Sequence, residues 1–267
     1  MKAKTKKFKK VFNRAQDRME LKGAKMMHSV LREQYLYVMK WAKKVHPEDL
    51  KGIIEDIPTE RLDTFLHKYY KMAAPLAMLQ RNYALGKKFS TIDISKKDSE
   101  DDYYFATFEA EMENIIKNQS GELIKTITGT TKENMLRGIR EILNNARDEG
   151  LGVPAIQDLI VKKFGEDIIG NAAARARAIA RTEMIKASNQ AQHFAMKSTK
   201  LQYRKFWSTS HLGNIRDSHM EAEQDSIDRG GLQPNELHSN GLAFVGDPSA
   251  PAEEIINCRC TELYETI

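Results

Sequence analysis

The 267-residue sequence holds only two cysteines, two tryptophans and seven prolines. Two cysteines, Cys258 and Cys260, cannot build a disulfide framework, so stability must come from a packed core and an intracellular setting is the expectation. No apolar run approaches the roughly 20 residues that cross a bilayer, which argues against a membrane-spanning helix. The first ten residues are basic and have no apolar stretch behind them, so no secretory leader is read there. Also missing are a Gly-x-Ser-x-Gly elbow, a His-Glu-x-x-His pair and any internal repeat, which removes the commonest hydrolase and solenoid signatures. At 41% hydrophobic and 30% charged, the composition is that of a folded chain, neither disordered nor fibrous.

The net charge of +5 conceals an asymmetry. Residues 1–44 carry fourteen Lys/Arg against Asp17, Glu20 and Glu33, a local balance of +11. From Asn214 onward Arg216, Arg229 and Arg259 face eleven acidic residues, a balance of −8. One end is suited to anions and the other is not, which excludes a uniformly basic DNA-coating protein. Lys2, Lys4, Lys6, Lys7, Lys9, Lys10, Arg14 and Arg18 are the candidates for binding nucleic acid or an acidic partner, since each phosphate contact adds salt-dependent affinity without base specificity.

Hydrophobic spacing predicts helices over most of the chain. Phe12, Ala15, Met19, Met26, Val30, Val38 and Ala42 form one stripe from about 11 to 45. Shorter helices follow at about 47–56 and from Pro58, with a break expected at Pro75. Residues 95–100 are the best linker. A helix resumes at Tyr103, and the Thr130 to Glu133 spacing marks a further helix start that should stop at Gly150. Pro154 opens a short helix, and Asn171 caps an alanine-rich one bearing Ala176, Ala180, Met184, Ala187 and Ala191. Beyond about 200 the texture changes: Tyr203–Ser208 and Ile255–Tyr264 read as strands, and seven glycines and prolines fall between Gly230 and Pro251.

On a strand, Cys258 and Cys260 would point to one side. Two thiolates need a histidine or carboxylate to complete a zinc site, and His219, His211, His238 and Asp217 are the nearest in sequence. The plainer expectation is a pair of small buried hydrophobes. A hydrolase built on His219, Asp217 and a serine of Ser208–Ser210 is the other chemical option, set against polar side chains that merely hold a turn. Arg181 on the alanine-rich helix is expected to tie that helix to the C-terminal part.

The C-terminal motifs carry a family resemblance. Arg175–Glu183 resembles the "R-x-x-x-IARTE" helix of the phage Mu F-like head morphogenesis family. Lys205–Thr209 is similar to its "K-x-W-x-T" strand, and Ile215–His219 to its "R-x-x-H" element. Gly246-Asp247-Pro248 and Pro251–Cys260 resemble its "GDP…PAE…NCRC" ending. These ordered elements span about 90 residues, with weaker similarity reaching back to about residue 125.

The resemblance implies a minor head protein: a virion component inside the head near the portal, present in host cytoplasm during assembly, assisting DNA packaging or ejection. Its partners would be the portal and other capsid or scaffold proteins, with packaged double-stranded DNA meeting the basic N-terminal region; no membrane, enzymatic activity or cofactor is implied. If a metal is held, the residues suited to it are His219, Cys258 and Cys260, with zinc as the ion. The structural motif would be Arg181, Thr182, Glu183, Trp207, Arg216, His219, Asn257 and Arg259. The expected fold class is α+β, a mostly helical N-terminal two-thirds with a small C-terminal α+β module. Residues 1–95 would be a basic helical region and 103–267 a connector plus the module, whose core is about 171–267. Asn257, Arg259 and His219 are expected to organise the Gly/Pro-rich loop, which has little backbone pairing of its own. Two alternatives stand beside this reading: a metal-dependent nuclease or hydrolase using His219, Cys258 and Cys260, and a general nucleic-acid-binding protein without a virion role.

Overall fold

The computed structural model describes residues 3–86, 99–199, 201–210 and 214–267. It is 71% helical with one small antiparallel sheet near the C-terminus, the mostly helical α+β class that the sequence predicts. The elements are α1 (Ala3–Ala42), a single 3-10 turn (Pro47–Asp49), α2 (Leu50–Glu55), α3 (Glu60–Lys71), α4 (Ala74–Ala84), α5 (Ser99–Glu149), α6 (Val153–Ile169) and α7 (Asn171–Ser198). Then follow β1 (Tyr203–Ser208), α8 (Asp217–Asp228), α9 (Ala252–Ile255) and β2 (Thr261–Thr266). No helix among the described residues is long and apolar enough to cross a membrane. The expected linker at 95–100 lies largely outside the described residues, as do Lys2 and His211.

Several boundaries differ from the sequence expectation for identifiable reasons. α1 begins at Ala3, about eight residues early, because Thr5, Phe8 and Phe12 are all buried and fix the basic segment as helix. The break expected at Pro75 does occur, with α3 ending at Lys71 and Pro75 in the first turn of α4, where a missing N–H costs nothing. α5 runs unbroken through the expected start at Thr130, whose hydroxyl donates to the Thr126 carbonyl (2.9 Å) inside the helix instead of capping a new one. Gly150 does end it, at φ 66°. Asn171 donates to Asp167 (2.8 Å) and is no cap.

The predicted strand at 255–264 is mostly something else. Ile255 closes α9, and Asn257 takes φ 63°, a left-handed conformation that asparagine tolerates and that turns the chain out of extension. Strand pairing starts only at Thr261, with Tyr203 opposite Thr266 and Ser208 opposite Thr261. α8 has no forecast, since its twelve residues are mostly acidic or polar and bury only His219, Ala222 and Ser226.

The chain forms two compact units. The first combines Met1–Gly23, Lys68–Asn114 and Ala178–Ile267; the second combines Ala24–His67 and Ile115–Arg177. In the second, Phe164 meets Tyr35 edge-on with centroids 5.4 Å apart, and Arg175 donates to Thr131 Oγ1 (2.5 Å) and the Ile127 carbonyl (2.6 Å). The first contains both strands. Ile185, Trp207, Ala222, Leu242, Val245, Ala250, Ile255, Cys258 and Cys260 make its main core around the irregular loop. Its N-terminal helix residues reach that module directly, for Thr5 Oγ1 donates to Glu265 (2.9 Å) and Gln16 Nε2 to Ser188 (2.9 Å).

Candidate functional site

Arg216 keeps an extended backbone and accepts the amide of His219 at its carbonyl (3.1 Å), which makes His219 the third residue of α8 and turns it inward. Arg216 itself donates to the Ile256 carbonyl (2.7 Å), joining the start of α8 to the end of α9. His219 is 1% exposed, and its ring lies 4.9 Å from the Trp207 indole. Its Nε2 stands 2.8 Å from Glu254 Oε2, and Ser218 Oγ donates to the same carboxylate at 3.1 Å. A carboxylate only accepts, so Nε2 carries a proton, and in the neutral ring the lone pair is on Nδ1.

That lone pair faces both cysteines. Nδ1 lies 3.7 Å from Cys258 Sγ and 3.3 Å from Cys260 Sγ, and all three atoms fall within 4.8 Å of one another. The cysteines sit just before β2 rather than on it, yet both sulfurs still meet at His219 Nδ1. The Cys260 amide donates to Cys258 Sγ (3.3 Å). The side-chain hydrogen bond between the two cysteines, reinforced by His219 and the Cys260 amide, pulls the Cys258 thiol down to about 5 against the effect of burial. The same bond and burial push the Cys260 thiol up. Both thiols are free and buried. Of the metal-ligand candidates named from sequence, His219, Cys258 and Cys260 come together; His238 pairs elsewhere and His211 lies outside the described residues.

A second network joins the motif residues of α7 to the end of the chain. Arg181 donates to Asn257 Oδ1 (2.6 Å) and Glu20 Oε1 (2.9 Å). Thr182 Oγ1 accepts the Asn257 amide (3.0 Å), and buried Glu183 accepts the Tyr70 hydroxyl (2.6 Å). Burial, with Glu183 beside it, raises the Tyr70 phenol well above its ordinary range. Arg259 pairs with Asp17 (3.8 Å) and Glu20 (3.6 Å). Asn257 and Arg259 therefore hold the chain end to α7 and α1 and do not organise the Gly/Pro-rich loop.

Three other residues do that instead, two of which, Lys205 and Asp247, lie in the motifs that carry the family resemblance. Glu262, fully buried, accepts the Val245 amide (2.9 Å) and pairs with His238 Nε2 (2.9 Å). Lys205, also buried, donates to the Ala243 carbonyl; burial lowers its pKa, with Glu262 opposing. Asp247 accepts the amides of Ala243 (3.1 Å) and Ser249 (2.9 Å). The polar side chains look outward in sequence because only the fold reveals which loop carbonyls and amides they satisfy.

The basic residues divide. Lys9 turns inward to Ser208 Oγ (2.6 Å) and the Thr209 carbonyl (2.9 Å), and burial lowers its pKa. Lys6, Lys7, Lys10, Arg14 and Arg18 are exposed, opposite the buried Phe8 and Phe12. Lys6, Lys10, Arg14 and Arg18 recur every four residues, so with Lys7 they cover an arc of about 120° on one side of the helix. Lys4 is helical, but its side chain lies outside the described residues.

Among known proteins, the family model described as "Phage Mu protein F like protein" matches residues 119–263. No curated protein and no solved structure gives a significant match.

Proposed function

The chain belongs to the phage Mu protein F-like family, and on that premise we propose that it is a minor head protein acting inside the head near the portal, where it assists DNA packaging or ejection. In this reading the unit containing both strands is a structural module with capsid-related partners, and the exposed basic side of its α1 residues meets packaged double-stranded DNA. The observation that carries the DNA-facing part is the stripe of Lys6, Lys7, Lys10, Arg14 and Arg18, which faces away from the core while Lys9 is spent internally. Five exposed cations on one side of α1 are suited to phosphates spaced along a duplex.

Binding of the full chain to duplex DNA across a salt series tests this. Each phosphate contact should contribute about −0.9 to the slope of log affinity against log salt. Changing Lys6, Lys10, Arg14 and Arg18 together to glutamine should flatten that slope by roughly three to four and leave the helical circular dichroism intact. Equal binding by the variant, or no salt dependence, would remove DNA as the partner of this face. The enzymatic alternative draws less support: His219, Cys258 and Cys260 are 1%, 4% and 3% exposed, an arrangement suited to holding a group rather than admitting a substrate.

A further inference from the structure

We propose that the unit containing both strands binds one zinc ion between His219 Nδ1 and the thiolates of Cys258 and Cys260, and that the ion staples α8 to the segment entering β2. A zinc ion at about 2.3 Å from sulfur and 2.0–2.1 Å from nitrogen, in tetrahedral geometry, sets S···N separations of about 3.6 Å. The two observed separations, 3.7 and 3.3 Å, bracket that value. Both separations are close to those that a shared zinc ion requires, and the three ligand atoms lie within 4.8 Å of one another.

Orientation agrees with distance. Glu254 fixes the proton of His219 on Nε2, so the nitrogen facing the sulfurs is the one with the lone pair. A carboxylate on the far nitrogen of a ligating histidine is the usual outer support of a zinc site, and here Ser218 holds that carboxylate in turn. The Cys260 amide directed at Cys258 Sγ supports a thiolate in the same way.

Charge completes the choice of ion. Two thiolates and a neutral imidazole cancel the +2 charge of zinc, so the buried ensemble is neutral and its transfer out of water costs little. The thiol protons displaced on binding pass to solvent. Three protein ligands leave the fourth position to a water molecule. The unit has reason to need the staple: its sheet is two strands, and the connection between α8 and α9 has little regular structure. This inference does not depend on a role in the phage head.

The test is metal content and spectroscopy on the full chain. Protein refolded with Zn2+ under reducing conditions and desalted should retain about one zinc per chain, and chelation should lower its Tm reversibly. Replacing Zn2+ by Co2+ in the wild-type chain should give intense tetrahedral ligand-field bands with thiolate charge-transfer absorption, a readout that needs no variant to fold. Cys258→Ser and Cys260→Ser should each weaken the charge-transfer band, whereas His67→Gln, a change in the other unit, should not. Wild-type protein that folds but retains no zinc above background, or zinc retained equally by both cysteine variants, would overturn the proposal.

Discussion

Removing the Glu262 carboxylate should release the irregular loop from the sheet. The side chain is fully buried; one oxygen accepts the Val245 amide and the other faces His238 Nε2. Glu262→Ala strands two buried donors, each costing about 1–3 kcal/mol when unpaired, so a loss of about 2–6 kcal/mol is expected. Set against a typical domain stability of about 5–15 kcal/mol, that is a large fraction. Glu262→Gln is milder. Its carbonyl can keep Val245 while its amide donates to His238, provided the imidazole proton moves to Nδ1, which has no partner among the described residues. One stranded donor remains, for about 1–3 kcal/mol. Urea unfolding followed by tryptophan fluorescence reports on this unit once Trp41 is replaced by phenylalanine, because Trp207 then becomes the sole indole and its ring lies 5.1 Å from His238. The expected order of stability is wild type, then Gln, then Ala. An alanine variant as stable as the glutamine variant, or within about 0.5 kcal/mol of wild type, would refute the assignment of Glu262 as the loop's anchor.

Asn257 combines a left-handed backbone with a hydrogen bond to Arg181. Asn257→Gly should lose only the bond, and Asn257→Ala should also incur about 1–2 kcal/mol of backbone strain, so alanine must be the less stable of the two in thermal unfolding. For Lys205, burial lowers the folded pKa below 10.5, so the unfolded chain binds more protons between that lowered value and 10.5 and stability rises with pH across the window. Lys205→Met should remove part of that rise in stability measured from neutral to alkaline pH, and an unchanged slope would show that the lysine titrates normally. Gly23 lies in α1 where an added Cβ would fall within the Tyr69 ring. Gly23→Ala should therefore lower Tm despite alanine's better helix propensity of about 1 kcal/mol, and a raised Tm would show that Tyr69 can move aside.

The helices were legible in the sequence because their buried residues recur at helical spacing: Phe12, Val30 and Val38 on α1, and Ala176, Ala180 and Met184 on α7, are all buried. Strand β1 was equally clear from its aromatic and alternating residues. What stayed hidden depends on partners remote along the chain. Thr130 has the spacing of a cap, yet a continuous helix can satisfy its hydroxyl internally. Nothing local marks α8, whose burial rests on one histidine, one alanine and one serine. The two cysteines announced a shared side, but the choice of His219 over His238 follows from packing that places His238 against Glu262. Glu20 and Asp17 gave no hint that they would meet Arg181 and Arg259, residues at the opposite end of the sequence.

A component of a phage head must co-purify with the assembled particle. Mass spectrometry of gradient-purified heads from the phage or induced prophage that encodes it measures this directly. The protein should band with the heads and stay with them through a high-salt wash that strips adsorbed protein. Finding it only in the free fraction of the lysate, with portal and major capsid protein present in the heads and this chain absent, would contradict the account.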